Sequence, residues 1–197
     1  MKFLFVDSCH NELFVLLYDN GKIYTRKSSG NKKHNSVLLL FIDEVLTESG
    51  NKIKDIQNIA CCVGPGSFTG IRLGVTTCNG IAFATCANRV AINTFESIAY
   101  NNINHILVCV DSGHGNYYAG EYDNGKEVSL FSTEDRPFYK DLGCEIITWN
   151  GEKDSNNIVN VICEKIKNKD FVQMFSPLYL KKSQAEREKD DKTSNKK

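Results

Sequence analysis

Two acidic turns and one glycine-rich turn hold the residue types in this sequence that could do chemistry. Asp7-Ser8-Cys9-His10 and Asp111-Ser112-Gly113-His114 each place a carboxylate three residues ahead of an imidazole. His10 and His114 could touch a phosphate, although a solvent-exposed turn histidine is the more ordinary state. Gly64-Pro65-Gly66-Ser67-Phe68-Thr69-Gly70 could offer backbone N–H groups to an anion ahead of a helix. Its spacing, Gly64-x-Gly66-x-x-x-Gly70, is one residue longer than the dinucleotide fingerprint, and no Lys-Ser/Thr pair follows as a P-loop requires. A standalone phosphate site is therefore the weaker reading. Asp7, Ser8 and His10 are too local to converge as a hydrolytic triad, since neighbouring strand residues point apart.

The cysteines number eight, none in a Cys-x-x-Cys pair. Adjacent Cys61 and Cys62 would point to opposite faces of a strand, so a zinc site is not expected. Phe3 to Val6 is too short for a signal-peptide core, and the thiols read as reduced in a cytosol. No apolar run reaches the roughly eighteen residues that span a bilayer.

The glycine turn has to be positioned by a strand before it and a helix after it. The apolar run Ile59 to Val63 stops at Gly64-Pro65-Gly66, and Ser67 or Thr69 can cap the helix that follows. Ile71, Val75, Cys78 and Ala82 make one apolar stripe, and Gly70, Gly74, Thr77, Ile81 and Ala84 make a second, mostly small one. Interior glycines cost roughly 1 kcal/mol each relative to alanine, so Gly74 and Gly80 need compensation from a close backbone approach. That approach can come from a strand of the same chain or from another protein.

Upstream lie strands at Lys2 to Val6, Leu13 to Tyr18 and Ile23 to Thr25, the last two joined by the hairpin signal Asp19-Asn20-Gly21-Lys22. His34 precedes a helix from Ser36 to about Glu48. A strand at Val90 to Ile92 and a helix capped by Thr94 complete a β-β-β-α-β-α-β-α order. A new strand begins at Ile106. Sliding the sequence by 104 residues aligns Asp7 to Lys22 with Asp111 to Lys126, and eight of those sixteen positions are identical: Asp7, Ser8, His10, Tyr18, Asp19, Asn20, Gly21 and Lys22. Convergence on the Asn-Gly turn could explain the last four, but not Asp-Ser-x-His at the same distance upstream. Internal duplication is the better account. The second half is poorer, with a strand at Gly143 to Trp149, a helix near Asn157 to Lys167 and a short ending, Pro177-Leu178-Tyr179-Leu180.

Lys+Arg and Asp+Glu balance at 24 each, but residues 181–197 carry seven basic and four acidic side chains, +3, leaving −3 for the rest. That body is a poor nucleic-acid binder by electrostatics, and the tail reads as charged and disorder-prone.

Paired halves that each open at an acidic hairpin resemble the duplicated ribonuclease-H-like fold of the actin-like ATPases, sugar kinases and heat-shock chaperones. The resemblance implies an α/β architecture of two βββαβα-type lobes, the first at residues 1–104 and a reduced second at 105–180, with 181–197 as a tail. In working members an aspartate holds magnesium and the hairpins clasp ATP phosphates. The matching positions are Asp7 and Asp111, with Ser8, Gly64 and Gly66 completing a vestigial nucleotide site. Asp7-Ser8, His34, the run Gly64 to Val75, Gly80-Ile81-Ala82, Asp111 before Tyr117, and Pro177 to Lys181 are similar to the TsaB family. That family is the non-catalytic partner of TsaD in synthesis of threonylcarbamoyladenosine at position 37 of transfer RNA. It implies a TsaD-binding face made by Thr69, Gly70, Arg72, Leu73, Gly74, Thr76, Thr77, Gly80, Ile81 and Ala84, on which Gly74→Leu or Thr77→Trp would spare the fold and block assembly. His34 is followed at the fourth position by Leu38, so the His-x-x-x-His metal motif of the catalytic relative is absent. The expectations are no catalytic residue, no metal, no cofactor, a cytoplasmic chain, a TsaE-like ATPase as further partner, a homodimer through the same helix when TsaD is missing, and only indirect contact with tRNA. Departures from the family include Asp111-Ser-Gly-His-Gly-Asn-Tyr-Tyr118, which lacks the usual Arg and Glu, and Asn79 where lysine is usual. The alternative is a small ATP-dependent phosphotransferase built on Asp7, Asp111 and the glycine turn.

Overall fold

The structure is a computed structural model that describes residues 1–28, 34–113, 115–133 and 144–181. Expectations for His114 and for the tail beyond Lys181 lie outside the described residues.

β1 (Lys2–Asp7), β2 (Phe14–Asp19) and β3 (Lys22–Lys27) form an antiparallel meander. Asn20 and Gly21 both take positive φ, +47° and +98°, as the tight hairpin turn requires. The helix α1 (His34–Ser49) returns across β2 and β3, and a short 3₁₀ turn, Ile53–Asp55, leads into β4 (Asn58–Cys62). β4 lies parallel to β1, and after α2 (Phe68–Thr85) β5 (Asn88–Ile92) lies parallel to β4, giving the order β3-β2-β1-β4-β5. β1 reads as an unbroken apolar run because both of its faces are covered, and Phe3, Leu4, Phe5 and Val6 are at most 1% exposed.

The second sheet repeats the plan. After the four-residue α3 (Glu96–Ala99) come β6 (Ile106–Gly113), β7 (Asn116–Asp123) and β8 (Lys126–Thr133), again antiparallel and again turning on a positive-φ Asn-Gly pair, Asn124 and Gly125. β9 (Glu145–Thr148) lies parallel to β6, so the order is β8-β7-β6-β9, and α4 (Ser155–Lys167) follows. The 104-residue offset carries the first residue of β3, Lys22, onto that of β8, Lys126. From Phe68 to Ser155, the first residues of α2 and α4, the offset is 87. The second half is thus 104 − 87 = 17 residues shorter between these points, close to the 16 residues of α1. The molecule is a duplicated ribonuclease-H-like α/β protein whose second sheet has four strands against five.

Thr94 is not the cap of α3. Phe95 stands at its N-cap without a side-chain bond; just ahead of it Asn93 Oδ1 accepts the N–H groups of Phe95 (2.9 Å) and Glu96 (3.0 Å), while the Thr94 hydroxyl donates to the Pro65 carbonyl (2.7 Å). The C-terminal stretch is pinned along α2. Phe175 is buried, its N–H donates to Asn79 Oδ1 (2.9 Å), and Asn79 Nδ2 donates to its carbonyl (3.0 Å). Asn79 is thus one of the side chains that fasten this stretch, beside the Leu178 N–H donating to the Val63 carbonyl (2.8 Å).

Candidate functional site

The glycine turn is built for close packing. Ser67 caps α2, its Oγ accepting the Gly70 N–H (3.3 Å), and its own N–H donates to the Cys9 carbonyl (2.7 Å). A Cβ on Gly66 would lie 2.3 Å from the Cys9 carbonyl oxygen, one on Gly70 2.0 Å from that of Ser8, and one on Gly74 2.5 Å from Ser8 Oγ. Ser8 is fully buried and donates to the Gly70 carbonyl (2.7 Å). The close approach that repays Gly74 therefore comes from this chain's own first acidic turn. Gly64, at φ +109°, packs against Ile71 and the Leu178 carbonyl, away from the cleft. The Ser67 and Gly70 N–H groups are thus used within the chain.

The ten residues expected on a partner face divide into four groups. Gly70 and Gly74 point inward, so they are corrected from contact residues to packing residues, and Gly74→Leu would clash with Ser8 rather than spare the fold. Arg72 is held by the C-terminal stretch: its Nε donates to Tyr179 Oη (3.0 Å), its guanidinium lies 3.9 Å from the Phe68 ring centroid, and Phe68 stacks on Tyr179 at 4.7 Å. Ile81 is half-buried. Thr69, Leu73, Thr76, Thr77, Gly80 and Ala84 share the remaining face of α2, open or partly open to solvent. Phe83 stands among them 81% exposed, and sequence reading passed over it. Its signal was there: Thr76, Gly80 and Phe83 follow one another at helical spacing. A Cβ on Gly80 meets nothing within 4 Å, so no group among the described residues accounts for that glycine.

Of the expected nucleotide residues, Asp7, Gly66 and Asp111 line open space and Ser8 and Gly64 do not. Asp7 borders a cavity of about 440 Å³ with His10, Asn93, Thr94 and Trp149. Gly66 and Asp111 border a cleft of about 1080 Å³ between the two acidic turns. Lys153 and Trp149, from the loop between β9 and α4, line both. Sequence reading did not pick out Lys153. Its Nζ donates to Asp7 Oδ2, and both side chains are more than nine-tenths buried. Asp7 Oδ1 accepts the Cys9 N–H (2.8 Å). His10 Nδ1 lies 3.4 Å from Asp7 Oδ2, its ring packs edge-on against Trp149 at 4.4 Å, and beyond that pairing neither ring nitrogen has a well-formed hydrogen bond among the described residues. Burial alone would raise the Asp7 pKa, but Lys153 and His10 outweigh it and hold the carboxyl well below the usual range.

A carboxylate oxygen of Asp7 and the sulfurs of Cys9 and Cys62 lie within 4.8 Å of one another, the one such donor set among the described residues. It does not fit a resident divalent metal as it stands. Lys153 already neutralises the carboxylate, and hydrogen bonding to Cys62 together with burial pushes the Cys9 thiol up, so it stays protonated. All eight cysteines are free. No helix among the described residues is long and apolar enough to cross a membrane.

A duplicated α/β chain whose two halves meet at a cleft between acidic turns is the class that the geometry defines. The family model described as "TsaD: tRNA N6-adenosine threonylcarbamoyltransferase" matches residues 26–136, more than half of the chain. Escherichia coli (strain K12) tRNA threonylcarbamoyladenosine biosynthesis protein TsaB is 28% identical over 127 residues, 62% of this chain and 55% of that protein. The protein of the same description from Buchnera aphidicola subsp. Schizaphis graminum is 26% identical over 170 residues, 83% of this chain and 72% of that protein. The match thus spans about half the length of the Escherichia coli relative. In fold, the chain is similar to YeaZ from Pseudomonas aeruginosa, with a TM-score of 0.74 at 16% identity over 91% of this chain and 99% of that one. A second structure from that organism, described as similar to peptidase YEAZ, gives 0.75 at 16% identity with the same coverage. The chain belongs to this threonylcarbamoyltransferase-like family, in its TsaB (YeaZ) branch.

Proposed function

We propose that this chain is a non-catalytic subunit in tRNA threonylcarbamoyladenosine biosynthesis that docks a TsaD-type transferase on the open face of α2 and supports its active conformation. One observation carries the reading: Gly80 lies in mid-helix, exposed, with nothing among the described residues within 4 Å of where its Cβ would be, beside an 81% exposed Phe83. A mid-helix glycine costs about 1 kcal/mol, and a helix that approaches closely from outside would recover it. Thr69, Leu73, Thr76, Thr77 and Ala84 would complete the contact. Threonylcarbamoyl transfer would take place on the partner, a TsaE-like ATPase would join the complex, and tRNA would be met indirectly, in the cytoplasm. Without TsaD the same face could pair two copies of this chain.

The phosphotransferase alternative draws on Gly66 and Asp111, which share the larger cleft. Against it stand the engaged Asp7 and the use of the Ser67 and Gly70 N–H groups within the chain.

Co-purification with the TsaD homologue of the same genome tests the reading. Phe83→Asp and Gly80→Trp should abolish the complex while leaving the circular-dichroism spectrum and melting temperature of the isolated chain nearly unchanged. Retained tight binding by both folded variants would reject this face. Turnover of ATP by the isolated chain would favour the phosphotransferase.

A further inference from the structure

The two helices that follow the parallel strands are capped at equivalent places: Ser67 caps α2, Asp154 caps α4, and these are 87 residues apart. The residue before each cap is then Gly66 in the first half and Lys153 in the second. The acidic turns correspond as Asp7 and Asp111, and even their local hydrogen bonds match, Asp7 Oδ1 with the Cys9 N–H and Asp111 Oδ1 with the Gly113 N–H. The duplication thus pairs each acidic turn with the pre-cap residue of the opposite half. In one pairing, Lys153 reaches across to Asp7. In the other, Gly66 has no side chain to send toward Asp111, and both line the open cleft.

A carboxylate as deeply buried as Asp7 needs a cation. From this geometry we infer that Lys153 is the resident counter-ion of Asp7, occupying the seat that a divalent metal would otherwise take and closing it to metal-dependent chemistry. The seat has the makings of a metal site: Asp7 Oδ2 and His10 Nδ1 are 3.4 Å apart, a spacing that two ligands of one ion can share, and among the described residues His10 Nδ1 has no well-formed hydrogen bond beyond this pairing. The side chain of Lys153 is 9% exposed, so the ammonium is fixed in place rather than sampling solvent. Phe14 and Trp149, with ring centroids 5.7 and 5.9 Å from its Nζ, add electron-rich faces to the seat.

Titration of the full chain with Mn²⁺, followed by loss of the free-ion paramagnetic resonance signal, tests the assignment. The wild type should leave the signal unchanged. Lys153→Met should take up Mn²⁺, and adding Asp7→Asn should abolish that uptake. Lys153→Arg, which keeps the cation, should stay silent like the wild type. Uptake by the wild type that Asp7→Asn removes would overturn the inference, and so would a folded Lys153→Met that takes up none. If Lys153→Met does not fold, Lys153→Gln takes its place with the same two outcomes. None of these readings involves the TsaD partner, so they are independent of the docking proposal.

Discussion

The two acidic turns share a sequence and a local geometry but have opposite surroundings. At Asp7 the turn is sealed between α2 and the loop before α4, its carboxylate held by Lys153 and its neighbouring Ser8 wedged against Gly70 and Gly74. At Asp111 the carboxylate is exposed, its β6 and β7 neighbours shift register between Asp111 and Gly113, and no ion pair reaches it from the described residues. One duplicated motif has therefore become a packing and charge-compensation centre in the first half and a surface feature in the second. A motif's chemistry is set by what the rest of the chain places against it.

Substitutions that attack the sealed turn should have the largest effects. Gly70→Val would drive a side chain into the Ser8 carbonyl and should leave little folded protein, read as loss of soluble expression and of a cooperative melt. Asp7→Asn or Lys153→Met alone leaves one buried charge without its partner and should cost about 3–5 kcal/mol by urea denaturation; the double variant should recover part of that loss. Asp111→Asn, its counterpart, should change stability by less than about 0.5 kcal/mol. An equal loss at both aspartates would erase the comparison.

Acid sharpens the same contrast. Because the folded-state pKa of Asp7 is depressed, its contribution is fully present above the unfolded carboxylate value of about 4 and is lost as pH falls below that. The acid limb of the stability profile should therefore flatten in the Asp7→Asn/Lys153→Met double variant. Smaller still is Gly80→Ala, which should stabilise the isolated chain by roughly 1 kcal/mol in a thermal melt while weakening TsaD binding. A gain in both would mean that the open glycine serves no partner.

Much of this was written in the sequence. Local turn chemistry and alternation place the Asn-Gly hairpins, and continuous apolar runs mark the strands buried on both faces. The 104-residue repeat announces the duplication before any coordinates, and the Gly64 to Val75 run points to the family. These signals are short-range or repetitive, so they survive in a linear reading. The inward or outward sense of each small residue on α2 did not. Gly74 and Gly80 look alike in the chain, yet one abuts Ser8 and the other faces open space, because that depends on where β1 ends relative to the helix. The capture of Asp7 by Lys153 spans 146 positions. Neither spacing nor propensity encodes such a contact, and only the docking of the second half against the first brings the ammonium to the buried carboxylate.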